Sequence, residues 1–273
     1  MYFYYARDGK PIWDTSVGKS PIKSIEVSFA DAAIMAIDDV VKLNTLNLYD
    51  LEEKGRASVV NSQEFRTGNA TAAKFGMDHH NEGLFFASVG NNVQMWDAQA
   101  DTQLHEYQTH TKKVNDFILS TDFFLTGSND KTVKLFDCRA QICVGTYTMD
   151  SPVTSIAWSD AEDVICAGNA DGSIHVFDIH HFDDSRPITV LTPNDTSNME
   201  LTSMDVSPKG HNIVAGYQNG TVLSWNLNNG RSTVVKDTNN TSVIDTKFSP
   251  DGRFLAASHS GGESTLWAPP SEE

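Results

Sequence analysis

One short phrase recurs along this chain about every 40 residues and limits its fold more than any other feature. It is a turn residue, an apolar run, an aromatic, then Asp or Asn. It reads Leu48-Tyr49-Asp50, Met95-Trp96-Asp97, Leu135-Phe136-Asp137, Val176-Phe177-Asp178 and Ser224-Trp225-Asn226, and it closes as Leu266-Trp267-Ala268. The third positions fall at 50, 97, 137, 178, 226 and 268, which gives steps of 47, 40, 41, 48 and 42 residues. A unit of this length cannot bury its apolar face alone, so neighbouring units must stack. The period is that of a β-propeller blade, and the expected fold class is all-β.

Residues 151–178 show the unit most clearly. Val153–Trp158 alternates at period two and reads as a first strand, a. Val164–Gly168 is a continuous apolar run, which suits a central strand b buried on both faces. Asn169-Ala170-Asp171-Gly172 carries turn chemistry, and Ser173–Asp178 returns as strand c. A weakly patterned strand d is expected to follow as the outer edge. The same reading fits Ile22–Leu51 (with Thr45–Asp50 as strand c), Ala72–Asp97, Val114–Asp137, Leu201–Asn226 and Val243–Trp267, which makes six units. The expectation is a single domain over residues 1–273. Residues 1–19 form a closing strand or partial blade, residues 20–268 the six units, and residues 269–273 a tail.

Composition narrows the function. A net charge of −16 argues against a protein that tracks nucleic-acid phosphates or docks on anionic lipid. It suits a basic peptide or protein partner. Cys138, Cys143 and Cys166 form no CxxC pair, and so sparse a set fits a reducing, intracellular compartment, cytoplasmic or nuclear. The first eight residues lack the pattern of a secretory signal, and no apolar run approaches the roughly 18 residues of a membrane span. His79-His80 and His180-His181 are adjacent pairs whose side chains point apart on an extended chain, so neither chelates a metal alone. No nucleophile elbow, phosphate loop or zinc-hydrolase motif occurs. No catalytic residue, cofactor, metal or small-molecule substrate is expected, and the chain reads as a non-enzyme.

At this point the residues resemble the WD40-repeat family. The resemblance rests on Val243–Ala256, on Gly127–Asp137, and on the endings Trp96-Asp97 and Trp225-Asn226, and it extends over roughly residues 20–268. It implies several features. Such blades are often braced by a His before strand a, a Ser or Thr in strand b, an Asp in the b–c turn and a Trp in strand c. The third unit comes nearest with His110, Ser128 and Asp130, but its aromatic is Phe136, which has no N–H to donate. The blades are therefore expected to lean on apolar packing. Such rings often close when an N-terminal strand completes the last blade, and Pro11–Thr15 is placed to do so. In a second parse, Tyr2–Asp14 aligns with Val164–Asp178 as the b–c hairpin of an incomplete seventh blade. An incomplete blade leaves an unpaired edge open to a strand from another chain.

Partners of this family often dock on the face made by d–a and b–c loops. Here those loops hold Lys112, Lys113, Asn129, Ala170, Met199, Glu200, Asn219, Thr241 and Ser242. Phe136-Asp137-Cys138-Arg139 is similar to the box by which WD40 substrate receptors dock on the adaptor of cullin-RING ubiquitin ligases, with Asp137 fixing the corner and Arg139 offering a charge. Tyr2, Phe3, Tyr4 and Tyr5 are too apolar to dangle and read as a core-facing strand or an interface. The leading expectation is a non-catalytic scaffold, a stable subunit of a larger intracellular assembly with protein partners. The alternatives are a ubiquitin-ligase substrate receptor and a reader of basic, histone-tail-like peptides.

Overall fold

The structure, a computed structural model, describes the strand backbone from residue 2 onward. It describes side chains for residues 64–65, 67, 70–76, 84–120, 122–159, 163–180, 186–193, 199–235 and 241–268. The chain folds into two compact units, Met1–Thr109 with Leu119–Thr121, and His110–Ile118 with Asp122–Glu273. All the elements described in both are β-strands.

In the first unit, β1 (Tyr2–Tyr4) and β2 (Pro11–Asp14) form a two-stranded antiparallel sheet with Phe3 opposite Trp13. Next come two four-stranded antiparallel sheets: β3 (Ser24–Ser28), β4 (Ala33–Ile37), β5 (Val41–Asn47) and β6 (Ser58–Phe65), then β7 (Ala70–Phe75), β8 (Leu84–Val89), β9 (Asn92–Asp97) and β10 (Thr102–Tyr107). Strand c of the first repeat, expected at Thr45–Asp50, is instead β5. Its Val41, Leu43 and Thr45 alternate with polar residues, and that period-two run decides its position over the aromatic-Asp phrase. Leu48–Asp50 lie outside the described residues.

The second unit repeats the meander, apart from the last residue of β11. Its sheets are β11 (Val114–Leu119), β12 (Phe123–Ser128), β13 (Thr132–Asp137) and β14 (Ile142–Thr148); β15 (Val153–Ser159), β16 (Val164–Asn169), β17 (Ile174–Asp178) and β18 (Thr189–Leu191); and β19 (Leu201–Val206), β20 (Asn212–Tyr217), β21 (Thr221–Asn226) and β22 (Arg231–Asp237). The last sheet has three strands: β23 (Val243–Phe248), β24 (Leu255–His259) and β25 (Ser264–Trp267). Within each four- or three-stranded sheet every strand pairs with its sequence neighbour, so the chain runs as a simple antiparallel meander.

The b strands form the core because they are covered on both faces. Every residue of β20 is buried, and β16 is buried from Ile165 onward. Sheet-to-sheet packing in the second unit follows one rule. A strand-b glycine makes room for the first residue of the next sheet's strand a. A Cβ on Gly127 or Gly168 would lie 2.6 Å from the side chain of Val153 or Leu201, and one on Gly216 would press still closer on Val243. Those three aliphatics are 0, 0 and 1% exposed, and each stabilises the stack by roughly 1.5–3 kcal/mol.

Outer strands are handled differently. The pairings of β5 with β6, β9 with β10, β13 with β14 and β21 with β22 each carry a register shift, which blunts the edge against further pairing. Among the described residues β25 pairs with β24 alone. Leu266 there is 46% exposed, while Leu135, in the flanked strand β13, is 6% exposed.

Candidate partner-binding ends of the sheets

Each sheet of the second unit has two ends, and the chain fixes them by different means. At one end the b–c turn is tied to the segment leading into strand a. The N–H of Asn129 donates to the Lys113 carbonyl (3.1 Å), Ala170 to Pro152 (2.9 Å), Gln218 to Glu200 (2.8 Å) and Ser260 to Ser242 (2.8 Å). These bonds set Lys113 beside Asn129, bring Ala170 onto the same end, and put Glu200 and Ser242 at the equivalent corners of their own sheets. Lys112, Lys113, Glu200 and Asn219 are exposed, while Thr241 and Ser242 are half-buried. The Asn219 amide oxygen accepts the Thr221 N–H (3.0 Å) and so shapes its own turn. Met199 is buried in a core cluster with Leu201 and Tyr217, and its carbonyl fills the space that a Cβ on Gly172 would need.

The β11–β14 sheet carries a polar brace at this end. His110 Nδ1 lies 3.0 Å from Asp130 Oδ2, and Nε2 lies 2.8 Å from Thr126 Oγ1. Burial pushes the His110 pKa below its ordinary 6.5 despite the Asp130 charge. The neutral ring therefore donates from Nδ1 and accepts the Thr126 hydroxyl at Nε2. Burial alone would raise the Asp130 pKa. The Thr132 hydroxyl, the Thr111 N–H and His110 outweigh it and bring the carboxyl down to about 2. The hydroxyl in the brace is that of Thr126, not Ser128 as expected. Ser128 donates instead to the carbonyls of Lys112 and Lys113 (3.1 and 2.9 Å). Thr126 and Ser128 face the same side of β12 at period two, so the sequence could not separate them. Phe136 stacks on Phe124 at 4.8 Å and adds no hydrogen bond to the brace.

At the other end, the recurring Asp or Asn caps the c–d turn. Asp137 Oδ1 accepts the N–H groups of Arg139 and Ala140 (2.8 Å each), and in the first unit Asp97 Oδ1 does the same for Gln99 and Ala100 (2.8 and 2.9 Å). Asp178 accepts the His180 N–H (2.8 Å), and Asn226 accepts those of Asn228 and Asn229 (3.0 and 3.2 Å). The Arg139 side chain is exposed, and its Nε lies 2.8 Å from Asp122 Oδ1. Burial, with Asp137 and Asp122 adding to it, pushes the Cys138 thiol up to about 12, and burial alone does the same to Cys166. Neither is an activated nucleophile.

Between the ends, the a strands are laced together by groups not singled out in the sequence. Ser155 Oγ and the Ile156 N–H both donate to Asp116 (3.0 Å each), and the Met204 N–H donates to Ser155 Oγ (3.2 Å). The Thr246 N–H donates to Ser203 Oγ (3.0 Å), which donates to Asp245 (2.8 Å). Asp205 accepts the Phe248 N–H (2.8 Å) and the Lys247 ammonium (3.0 Å). Burial opposes the charge of Lys247, but Asp205 and then Asp245 outweigh it and hold its pKa above the ordinary value. The available signal is a polar residue at the third position of each strand a: Asp116, Ser155, Ser203 and Asp245.

Among the described residues no three metal-ligating side chains converge, and no helix is long and apolar enough to cross a membrane. His180 stands with Asp163 at 3.3 Å on the surface, and His79, His80 and His181 lie outside the described residues. Tyr2–Tyr4 form β1; their side chains, and Tyr5, also lie outside them.

The model of the E3 ubiquitin-protein ligase RFWD3 WD40 domain matches residues 90–242, more than half of the chain. The chain belongs to the WD40-repeat family. Three relatives are similar over more than half of it. Protein SOF1 of Saccharomyces cerevisiae is 23% identical over 84% of this chain and 48% of its own length. WD repeat-containing protein 82 of Drosophila melanogaster is 27% identical over 81% of this chain and 69% of its own. Eukaryotic translation initiation factor 3 subunit I of Brugia malayi is 28% identical over 56% of this chain and 49% of its own. The chain thus spans about half the length of two of these three WD40 relatives.

Proposed function

We propose that this chain is a non-catalytic WD40 scaffold, an intracellular subunit that joins protein partners through the ends of its sheets. One observation carries the reading. Among the described residues, the side chains that shape both ends and lace the a strands bond to the chain's own backbone and turns, which braces the sheet ends as platforms. A relative whose name makes it a subunit of a translation initiation factor supports the same reading. In it the chain closes as one propeller over residues 1–273, with residues 1–19 as the closing strand or partial blade. The test is purification from native extract at physiological salt. A stable assembly with stoichiometric partners is expected, and a lone monomer with no partner would remove the reading.

A second reading is a substrate receptor of a cullin-RING ubiquitin ligase. It is favoured by the capped corner at Asp137, which presents Arg139 at the surface, and by the ligase in the name of the matching WD40 model. Arg139→Ala is expected to abolish capture of the ligase adaptor. Capture that survives the substitution, or is absent from the start, would exclude it.

A further inference from the structure

In three b–c turns of the second unit a glycine closes the turn with a left-handed backbone: Gly172 (φ 87°), Gly220 (φ 92°) and Gly262 (φ 83°). In each, its N–H donates to the carbonyl three residues earlier, at Asn169, Tyr217 and His259. The β11–β14 sheet builds the same turn, with the same bond to Ser128, but the residue is Lys131 at φ 69°. A side chain here is disfavoured by the clash of Cβ with the following carbonyl, and such strain gathers at functional positions.

Lys131 is exposed, and it stands at the same end as Lys112 and Lys113, also exposed. The Asn129 N–H bond to Lys113 and the Ser128 hydroxyl bonds to Lys112 and Lys113 draw the lysine pair against the turn. Among the described residues neither Lys112 nor Lys113 has an ion-pair partner. The Lys131 ammonium donates to a backbone carbonyl, that of Asp150, at 2.9 Å. Two carboxylates are close by. Asp130 is consumed by Thr111, Thr132 and His110, and Asp150 borders the patch. At the same end of the other sheets stand Asp171, Glu200 and Glu263, so the lysines form a local basic spot on a chain of net charge −16.

We propose that Lys112, Lys113 and Lys131 form a docking spot for a short acidic segment of a protein partner. Two features fix the chemistry. The spot is three lysines on a chain of net charge −16, so a long polyanion such as a nucleic acid would be repelled beyond it. It is made of lysines without an arginine fork, so it offers point charges suited to single carboxylates rather than bidentate phosphate recognition.

The proposal rests on the scaffold reading and can fail separately from it. Labelled decaglutamate is titrated into the full chain at low ionic strength and followed by anisotropy. The expected result is saturable binding that weakens with salt, is unchanged in Arg253→Ala, and falls about tenfold in the triple variant Lys112→Ala, Lys113→Ala, Lys131→Gly. Lys131→Gly alone is expected to bind more weakly while raising the melting temperature. Absence of binding, equal binding by the triple variant, or tighter binding of a thymidine decamer would overturn the proposal. A lowered melting temperature for Lys131→Gly would also overturn it, because Lys131 would then be holding the fold. Native partners that stay bound to the triple variant would leave the scaffold reading standing and remove this one.

Discussion

In the four phrases that end at Asp97, Asp137, Asp178 and Asn226, the terminal Asp or Asn accepts N–H groups of the next turn. Asp137 accepts two, at a solvent-exposed corner. Asp137→Ala should lower stability by about 1 kcal/mol in urea unfolding, the net worth of such bonds. Asp137→Asn should be nearly neutral, because Asn226 does the same work in the fifth repeat. His110 gives a pH prediction. Its folded pKa is below 6.5, so its contribution is complete above pH 6.5 and declines as pH falls from there toward the folded value. Asp130 follows in a lower window, from 3.8 down to about 2. The urea midpoint of the wild type should therefore fall between pH 7 and pH 5, and His110→Gln should flatten that slope. A residual slope is expected from His175, whose pKa burial also lowers. At pH 7 the same substitution should cost about 1–3 kcal/mol, because Asp130 and Thr126 lose their shared partner.

The strands follow their sequence patterns closely wherever burial is two-sided. Val164–Gly168 was legible as a central strand because a run apolar on both faces has no solvated alternative. Outer strands such as β14 were not, because one edge and much of one face meet water and impose no pattern. What the strand reading missed was how the sheets grip one another. The strand-b glycines look incidental in sequence, yet each receives the leading aliphatic of the next sheet. Gly168→Ala should therefore destabilise by about 1–3 kcal/mol, since the Leu201 side chain, 2.6 Å from the added methyl, must move within a packed core. Chemical denaturation measures this, and an exposed Gly261→Ala serves as the comparison, with its nearest neighbour at 3.3 Å.

For the whole molecule, a net charge of −16 means that compaction works against self-repulsion. Raising salt from low to moderate ionic strength should raise the melting temperature by up to about 4 °C, the shift roughly 1 kcal/mol produces in a chain of this size. A fall on adding salt would mean that specific ion pairs such as Lys247–Asp205 outweigh the net repulsion. The sequence by itself determined the all-β class, the repeat and most of the inner strands, because a 40-residue period and two-sided burial leave a chain few ways to hide its apolar residues. It could not determine which hydroxyl completes the brace at His110, which polar groups lace the a strands, or that Lys131 occupies a left-handed position beside Lys112 and Lys113. Those depend on contacts between residues far apart in the chain, set by register and sheet stacking, and a local pattern carries no record of them.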